Sequence, residues 1–445
     1  MPKRVIRRSK YLWFSLRLWR RRIAFWGGGV SIGIVAILFA LGSEQGNHLF
    51  NRLLAISPLL PLLVTPLGMA LVLAMSRRYF PGSQGSGIPQ TIAAIKVLDN
   101  EGRHSLLSLR IAAGKIFLTL LALMSGASVG REGPTVQIGA SIMYTLSRFT
   151  RFSRPEMEKG LILAGGAAGV AAAFNTPLAG IVFAIEEMSR SFEERTSGTV
   201  LTTVIVSGLI SLAWLGNYTY FGHTSTALDL GRGWIAVAVC GIAGGVMGGL
   251  FSRVLLAAAS GLPGRAGRLM RDKPVRFAAL CGFALALLGL LSGNATYGTG
   301  YPEARQLLEG GGGLSQTYGL LKMLATIVSY ISGIPGGIFA PSLAVGAGFG
   351  ANLSVLMPFA PAGAVVILGM VAYFAGVVQA PITAFVIVME MTDNSQLILP
   401  LMATAFIAHA TSQLVCPKPL YKTMAEGFMR RLVPPPAPAE EKKIL

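Results

Sequence analysis

Two acidic positions stand where an acid is costly. Glu132 follows Arg131 in the stretch Gly130-Arg131-Glu132-Gly133-Pro134-Thr135-Val136-Gln137-Ile138-Gly139, between the small and apolar residues 116–129 and the apolar run 138–146. A charge inside such a stretch is expensive and is usually retained for function. Pro134 suits the first turn of a helix, where its missing N–H is no loss, and Gly133 allows close backbone approach. The spacing predicts a helix beginning near Pro134, with free N–H groups facing an anion site that the Glu132 carboxylate could itself occupy. Read as residues alone, the pair also allows a fixed Arg131–Glu132 ion pair. The second acidic position is Glu186-Glu187, near the polar end of the apolar segment 177–188. Neighbours on a helix diverge by about 100°, so only one of the two is expected to face the interior. Lys115 lies inside the apolar stretch 111–124 and needs a partner or a wet cavity. It either adds positive potential to an anion path or snorkels to an interface.

The elements that position these groups are marked by glycine. Gly85-Ser86-Gly87-Ile88-Pro89, Gly130 to Pro134, and Gly336-Gly337-Ile338-Phe339-Ala340-Pro341 each read as a break followed by a helix start. Together they could aim backbone N–H groups at one point, with the Ser86 hydroxyl as a further donor. Neutral donors suit a dehydrated anion that must also leave, because a full Lys or Arg contact holds it too tightly.

Composition bounds the class. Of 445 residues 53% are hydrophobic and 13% charged, and mean hydropathy is +0.61, which excludes an ordinary soluble protein and points to a polytopic membrane protein. The net charge of +19 could point to nucleic acid, but the basic residues cluster between apolar spans and no basic-aromatic nucleic-acid module is present. The positive-inside rule accounts for them. Cys240, Cys281 and Cys416 are far apart without metal-ligand spacing, and read as packing residues. His104 reads as a solvated residue of a polar loop, Asp99 to Ser105. No metal and no cofactor are predicted.

Residues 1–22 hold nine Lys or Arg and no acid, interleaved with aromatic and leucine side chains, and read as a basic amphipathic cytoplasmic segment. The apolar run 23–41 is too long for a typical signal-peptide core and is read as a retained first helix. Further spans are expected near 53–75, 106–125, 160–174, 200–215, 234–258, 277–291, 320–331, 365–377 and 398–414. Many are shorter than the ~20 residues of a straight span, as expected of broken or re-entrant helices lining a buried site. Three echoes then divide the chain. Gly85 to Gln90 recurs at Gly298 to Glu303, Pro134 to Ala140 at Pro341 to Ala347, and Pro177 with Glu186 at Pro381 with Glu390, at offsets of 213, 207 and 204. The resulting organisation is a first membrane repeat at 23–215, an external linker at 216–232 without Lys or Arg between 217 and 230, a second repeat at 233–415, and a cytoplasmic C-terminal helix and tail at 416–445. A cytoplasmic start and an external linker make the repeat inverted, with a site at mid-membrane between the halves. The predicted fold class is an all-α polytopic membrane protein of two inverted repeats with tilted, broken and re-entrant helices. Glu390, the echo of Glu186, reads as structural.

These motifs, with the stretch from Phe174 to Met188 and the ending from Met389 to Pro400, resemble the CLC family of chloride channels and transporters, and are most similar to bacterial chloride/proton exchangers. The resemblance covers about Gly85 to Tyr421. It implies that Ser86 and Tyr421 donate hydroxyls to a central chloride, with the N–H groups of Ile338 and Phe339 completing the shell. Glu132 is then the external gate and proton carrier, and Glu187, the second Glu of its pair, the internal proton acceptor; channel-type members commonly lack the latter. Gly85, Gly87, Pro89, Arg131, Gly133, Pro134 and Lys115 would support the site. Gln90 departs from the Glu common there, with a local consequence expected. Ser86, rather than Pro, implies chloride over nitrate and other halides. The resemblance further implies a homodimer among membrane lipids in a bacterial inner membrane, both termini cytoplasmic, and no enzyme activity. A passive chloride channel is the alternative; an intramembrane hydrolase pairing Glu132 with Glu187 is the remote one.

Overall fold

The computed structural model describes residues 16–97, 99–149, 155–189, 194–216, 219–222, 224–229 and 231–432. Residues 1–15 of the basic segment, part of the linker and the tail from 433 lie outside the described residues. Everything regular among them is helical. The first half comprises α1 (Leu16–Ile56), α2 (Pro61–Tyr79), α3 (Ile88–Lys96), α4 (Asn100–Leu106), α5 (Leu109–Met124), α6 (Glu132–Phe149), α7 (Pro155–Phe174), α8 (Pro177–Phe183) and α9 (Glu194–Leu215). The second comprises α10 (Gly233–Ser260), α11 (Gly264–Asp272), α12 (Pro274–Leu291), α13 (Tyr301–Leu308), α14 (Tyr318–Ile331), α15 (Phe339–Leu356), α16 (Ala362–Val378), α17 (Pro381–Thr392) and α18 (Ile398–Val415), followed by α19 (Leu420–Leu432).

Among the described residues, seven helices are long and apolar enough to cross a membrane. Leucines such as Leu291 and Leu414 point outward, more than two-thirds exposed, as lipid-facing side chains do. α1, with 41 residues, is about 60 Å long, twice the thickness of a hydrocarbon core. It runs through position 22 and carries on to Ile56, so the expected span 53–75 is divided at Ser57-Pro58, where proline ends the helix. The polar stretch Asp99 to Ser105 is likewise not a loop. Asp99 caps α4 through Gly102 N–H at 2.9 Å, and although His104 is exposed, Arg103 is buried on an ion pair of 2.9 Å with Glu158.

Most helices of one half have a counterpart in the other, with α4 and α11 as the exceptions. α6 packs on α5 and α7, and α9 on α7 and α1; in the second half α15 packs on α14 and α16, and α18 on α16 and α10. Small residues set these distances. A side chain at Gly139 would strike the Gly165 carbonyl and one at Gly165 the Gly139 carbonyl; Gly346 and Gly369 stand in the same reciprocal relation. Close backbone approach of this kind is how helices pack where lipid removes the hydrophobic drive between them. α16, buried on every residue from Ala364 to Val378, forms the middle of the main core.

The inversion is visible in one reciprocal contact. Glu186, near the end of the segment that begins with α8, accepts the N–H groups of Ile382 and Thr383 at 3.1 and 2.7 Å, at the start of α17. Glu390, near the end of α17, accepts those of Leu178 and Ala179 at 3.2 and 2.8 Å, at the start of α8. Each equivalent segment caps the other's first turn, so the two run antiparallel, and the halves face opposite ways. Two otherwise orphaned N–H groups are satisfied at each end. Glu186→Ala and Glu390→Ala are each expected to lower the unfolding free energy by about 1–2 kcal/mol. The measurement is the thermal midpoint in detergent, with the Gln variants, which keep one amide oxygen, falling less.

Candidate functional site

The three glycine-rich breaks meet. Gly85 N–H donates to Ile334 O at 3.2 Å and Gly336 N–H to Gly85 O at 3.1 Å, which joins the turn before α3 to the turn before α15. Gly130 and Gly337 exchange both of their hydrogen bonds at 2.7 Å, an isolated antiparallel pair that joins the turn before α6 to the same place. The starts of α3, α6 and α15 are thereby held together. A Cβ on Gly133 would run into the Ser86 hydroxyl and come within 3.3 Å of Gly337 Cα, so only glycine lets α6 approach both turns. α6 begins at Glu132, two residues before the expected Pro134, and Glu132 is therefore itself a first-turn residue.

Four groups converge on this point. Ser86 and Tyr421 are 1% and 0% exposed, and neither hydroxyl has a hydrogen-bond partner among the described residues. They lie near each other without meeting hydrogen-bond geometry. Ile338 and Phe339 are buried at the start of α15, where first-turn N–H groups have no partner within the helix. The Phe339 ring is fixed between Phe174, Phe183 and Phe374, with its centroid 5.8 Å from that of Tyr421. Other buried hydroxyls, such as those of Thr65, Ser141 and Tyr373, also lack a partner among the described residues; Ser86 and Tyr421 are distinguished by their place at the converging helix starts. The set is rich in donors and carries no formal positive charge, which is the chemistry of an anion site.

Glu132 is fully buried. One carboxylate oxygen accepts Ala340 N–H at 3.4 Å, in the first turn of α15, and the other accepts the Tyr301 hydroxyl at 2.8 Å. An acid from the first half therefore caps a helix of the second. Arg131 is directed to Tyr220, donating to its hydroxyl with the guanidinium carbon 5.4 Å from the ring centre. Tyr301 and Tyr220 are site residues that sequence reasoning missed. Tyr301 had a signal, since it stands in the echo of the Ser86 motif, at the place of Ile88; Tyr220 had none.

Lys115 does not snorkel to an interface. It is fully buried in α5, and its ammonium donates to the carbonyls of Ser83, Gln84 and Gly85 at 2.6, 3.3 and 2.7 Å. Its three protons fix the turn that presents Ser86. Lys322, 207 residues on and also missed, does the same in α14, donating to Thr296, Tyr297 and Gly298 at 3.0, 3.2 and 2.8 Å. Between them Gly87 and Pro89 start α3, and Gln90 caps it locally, its Oε1 accepting Gly87 N–H at 3.1 Å and its Nε2 donating to Gln84 O at 2.5 Å.

The Glu186-Glu187 segment is not α-helical. α8 passes into a π-helical turn over Ala184–Ser189, the kind of local widening that occurs often at functional sites. Glu186 is committed to the start of α17, whereas Glu187 is half-buried and within electrostatic reach of Tyr421, as is Glu132. Gly133→Ala is expected to displace Ser86 or the Gly337 turn at a cost of about 1–3 kcal/mol, reducing anion transport about tenfold or more in a flux assay on reconstituted protein.

Comparison with known proteins agrees with this arrangement. A family model described as voltage gated chloride channel matches residues 68–413. A slow cyanobacterial Cl-/H+ antiporter superposes with a TM-score of 0.80 at 27% identity, over 93% of this chain and 98% of that one. A CLC-type fluoride/proton antiporter (TM-score 0.77, 23% identity, 92% and 98%) and a eukaryotic CLC transporter (0.75, 21%, 93% and 75%) share the fold. A family match over most of the chain, on a fold with three helix starts gathered around unpartnered hydroxyls, identifies this protein as a member of the voltage gated chloride channel family, the CLC membrane transport proteins.

Proposed function

We propose that this protein exchanges chloride for protons across a bacterial inner membrane, as a homodimer with one anion pathway in each subunit and both termini cytoplasmic. The observation that carries the reading is the seat of Glu132, whose carboxylate occupies the first turn of α15 as a bound anion would. Ionised, it competes for that position. Protonated, it is neutral, loses its attraction to the helix start and gives the position up to chloride. The anion is held by the hydroxyls of Ser86 and Tyr421 and the N–H groups of Ile338 and Phe339, and other halides or nitrate bind there more weakly. One side chain thereby links the movement of both ions.

Glu187 is the internal proton station in this reading. Its neighbour Glu186 already serves as a cap, and Glu187 is the second Glu of the pair, the position to which the family resemblance assigns this role. Support also comes from the cyanobacterial structure at 27% identity, which is a Cl-/H+ antiporter. Cytoplasmic termini accord with the basic residues of 1–22, 265–276 and 418–431. A passive chloride channel on the same fold is the second reading, and the presence of a carboxylate at Glu187 speaks against it. A hydrolase is disfavoured because, among the described residues, neither the Ser86 nor the Tyr421 hydroxyl is hydrogen-bonded to a base that could activate it.

The test is the zero-current potential of purified protein in liposomes under opposed chloride and proton gradients. For an exchanger the potential responds to the proton gradient; a potential set by chloride alone makes the protein a channel. Glu187→Gln is expected to abolish proton movement while anion flux persists. In the wild type anion flux rises as external pH falls, because protonation frees the site, and Glu132→Gln is expected to remove that dependence.

A further inference from the structure

We propose that Tyr301 is a positioning residue that latches the ionised Glu132 carboxylate at the start of α15, and that residues 219–222, between the two repeats, hold the latch in place. The proposal rests on the reading of Glu132 as the gate.

The contact to Tyr301 is the firmer of the two that hold the carboxylate. Its length of 2.8 Å is ordinary for a hydroxyl donor, whereas the Ala340 N–H at 3.4 Å lies beyond the usual range of an amide donor. The tyrosine is itself confined. Its ring stacks on Tyr220 with centroids 4.7 Å apart and planes 21° apart, and Phe221 lies against it at 5.7 Å. Tyr220 in turn donates to Ala173 O at 3.0 Å and receives the Arg131 guanidinium. Phe221 N–H and Thr224 N–H donate to the carbonyls of Met391 and Thr392 at 3.3 Å, which ties this stretch to the end of α17. From the other side, the turn leading into Tyr301 is clamped by Lys322 through the carbonyls of residues 296–298. The tyrosine therefore cannot turn away from Glu132 without breaking its stack on Tyr220 and its contact with Phe221, and the turn that carries it is held in place.

This arrangement departs from the internal two-fold. The equivalent of Tyr301 in the first repeat is Ile88, buried and without a donor, so a latch exists on one side only. A hydroxyl donated to an ionised carboxylate makes a charge-assisted bond, and that bond weakens when the carboxylate is protonated. Tyr301 accordingly favours the seated, ionised gate over the released, neutral one. It sets how acidic the solution must become before chloride enters. Among the described residues the titratable groups linked to Glu132 are Tyr301 on α13 and Tyr421 on α19; Tyr220 of the joining stretch stacks on Tyr301 and engages Arg131, the sequence neighbour of Glu132, and α15, whose first turn Glu132 caps, has none.

The experiment compares anion flux against external pH for the full-length protein in liposomes, in the wild type, Tyr301→Phe, Glu132→Gln and the double variant. Tyr301→Phe keeps the ring stack and removes only the donor. Its profile is expected to move about one pH unit to the alkaline side, an increase of about tenfold in flux on the shoulder of the curve. In the Glu132→Gln background the same change is expected to alter flux less than about twofold. An unmoved profile for Tyr301→Phe, or an equal effect in both backgrounds, overturns the latch. If Glu132→Gln alone keeps the wild-type pH dependence, the gate reading fails first, and the two failures are thereby distinguished. Tyr220→Leu, which leaves the Tyr301 hydroxyl and removes its stacking partner, is expected to move the profile the same way by a smaller amount; an unchanged profile overturns the role of residues 219–222.

Discussion

The rest of this structure depends on one pair of hydrogen bonds, the exchange between Gly130 and Gly337. It joins the two halves of the chain at the only kind of backbone that can meet edge to edge in the middle of a helical membrane protein, the turn before a helix. Unpaired backbone at that depth carries a penalty of several kcal/mol per group, so each turn is obliged to find the other. Once they are joined, the helix starts behind them must converge, and the donors that have no partner within a helix face one another. The anion-binding chemistry follows from that obligation. The same N–H groups that make a helix start awkward to bury make it a place for negative charge.

The two-fold relation explains what is common to both halves, and its violations explain what each half does. Lys115 and Lys322 each gather three carbonyls of the turn below, and Glu186 and Glu390 each cap the opposite segment. The two lysines are fully buried and the two glutamates partly so, and each is matched by two or three backbone dipoles, which is how a charge is tolerated in such a setting. The asymmetry begins where a turn meets its helix. The first half places Glu132 in the first turn of α6, whereas the second leaves the N–H groups of Ile338 and Phe339 as a fixed cradle. In the proposed reading the first is a movable carboxylate and the second an immobile cradle, and the two are complementary because the repeat is inverted and the two helix starts point at each other.

Much of this was legible in order along the chain. The glycine breaks, Pro134, Pro177, Pro341 and Pro381 marked helix starts to within a few residues, because glycine and proline act through the local backbone. The echoes at offsets near 207 located equivalent residues, and could have located Lys322 from Lys115 had that pair been included. The division of the span 53–75 at Ser57-Pro58 was readable on the same ground. The stretch Asp99 to Ser105 reads as a loop because it is polar, yet it holds the buried Arg103. Its burial depends on Glu158, 55 positions away, and no local pattern reports that pairing.

What the sequence by itself determined is whatever local chemistry dictates: an apolar helical chain, the positions of its breaks, the doubling of its halves, and the residue types available at each break. Only the tertiary structure decided who faces whom. Glu132 could have paired with Arg131 beside it, but it reaches Ala340 and Tyr301 because folding brings those groups nearer to the carboxylate than its sequence neighbour's guanidinium, which Tyr220 engages. Glu186 and Glu187 are indistinguishable as adjacent acids until α17 arrives to take one of them. In each case the deciding partner lies in the other repeat or in the stretch joining the two, and the energy of a buried hydrogen bond depends on distance in space rather than along the chain.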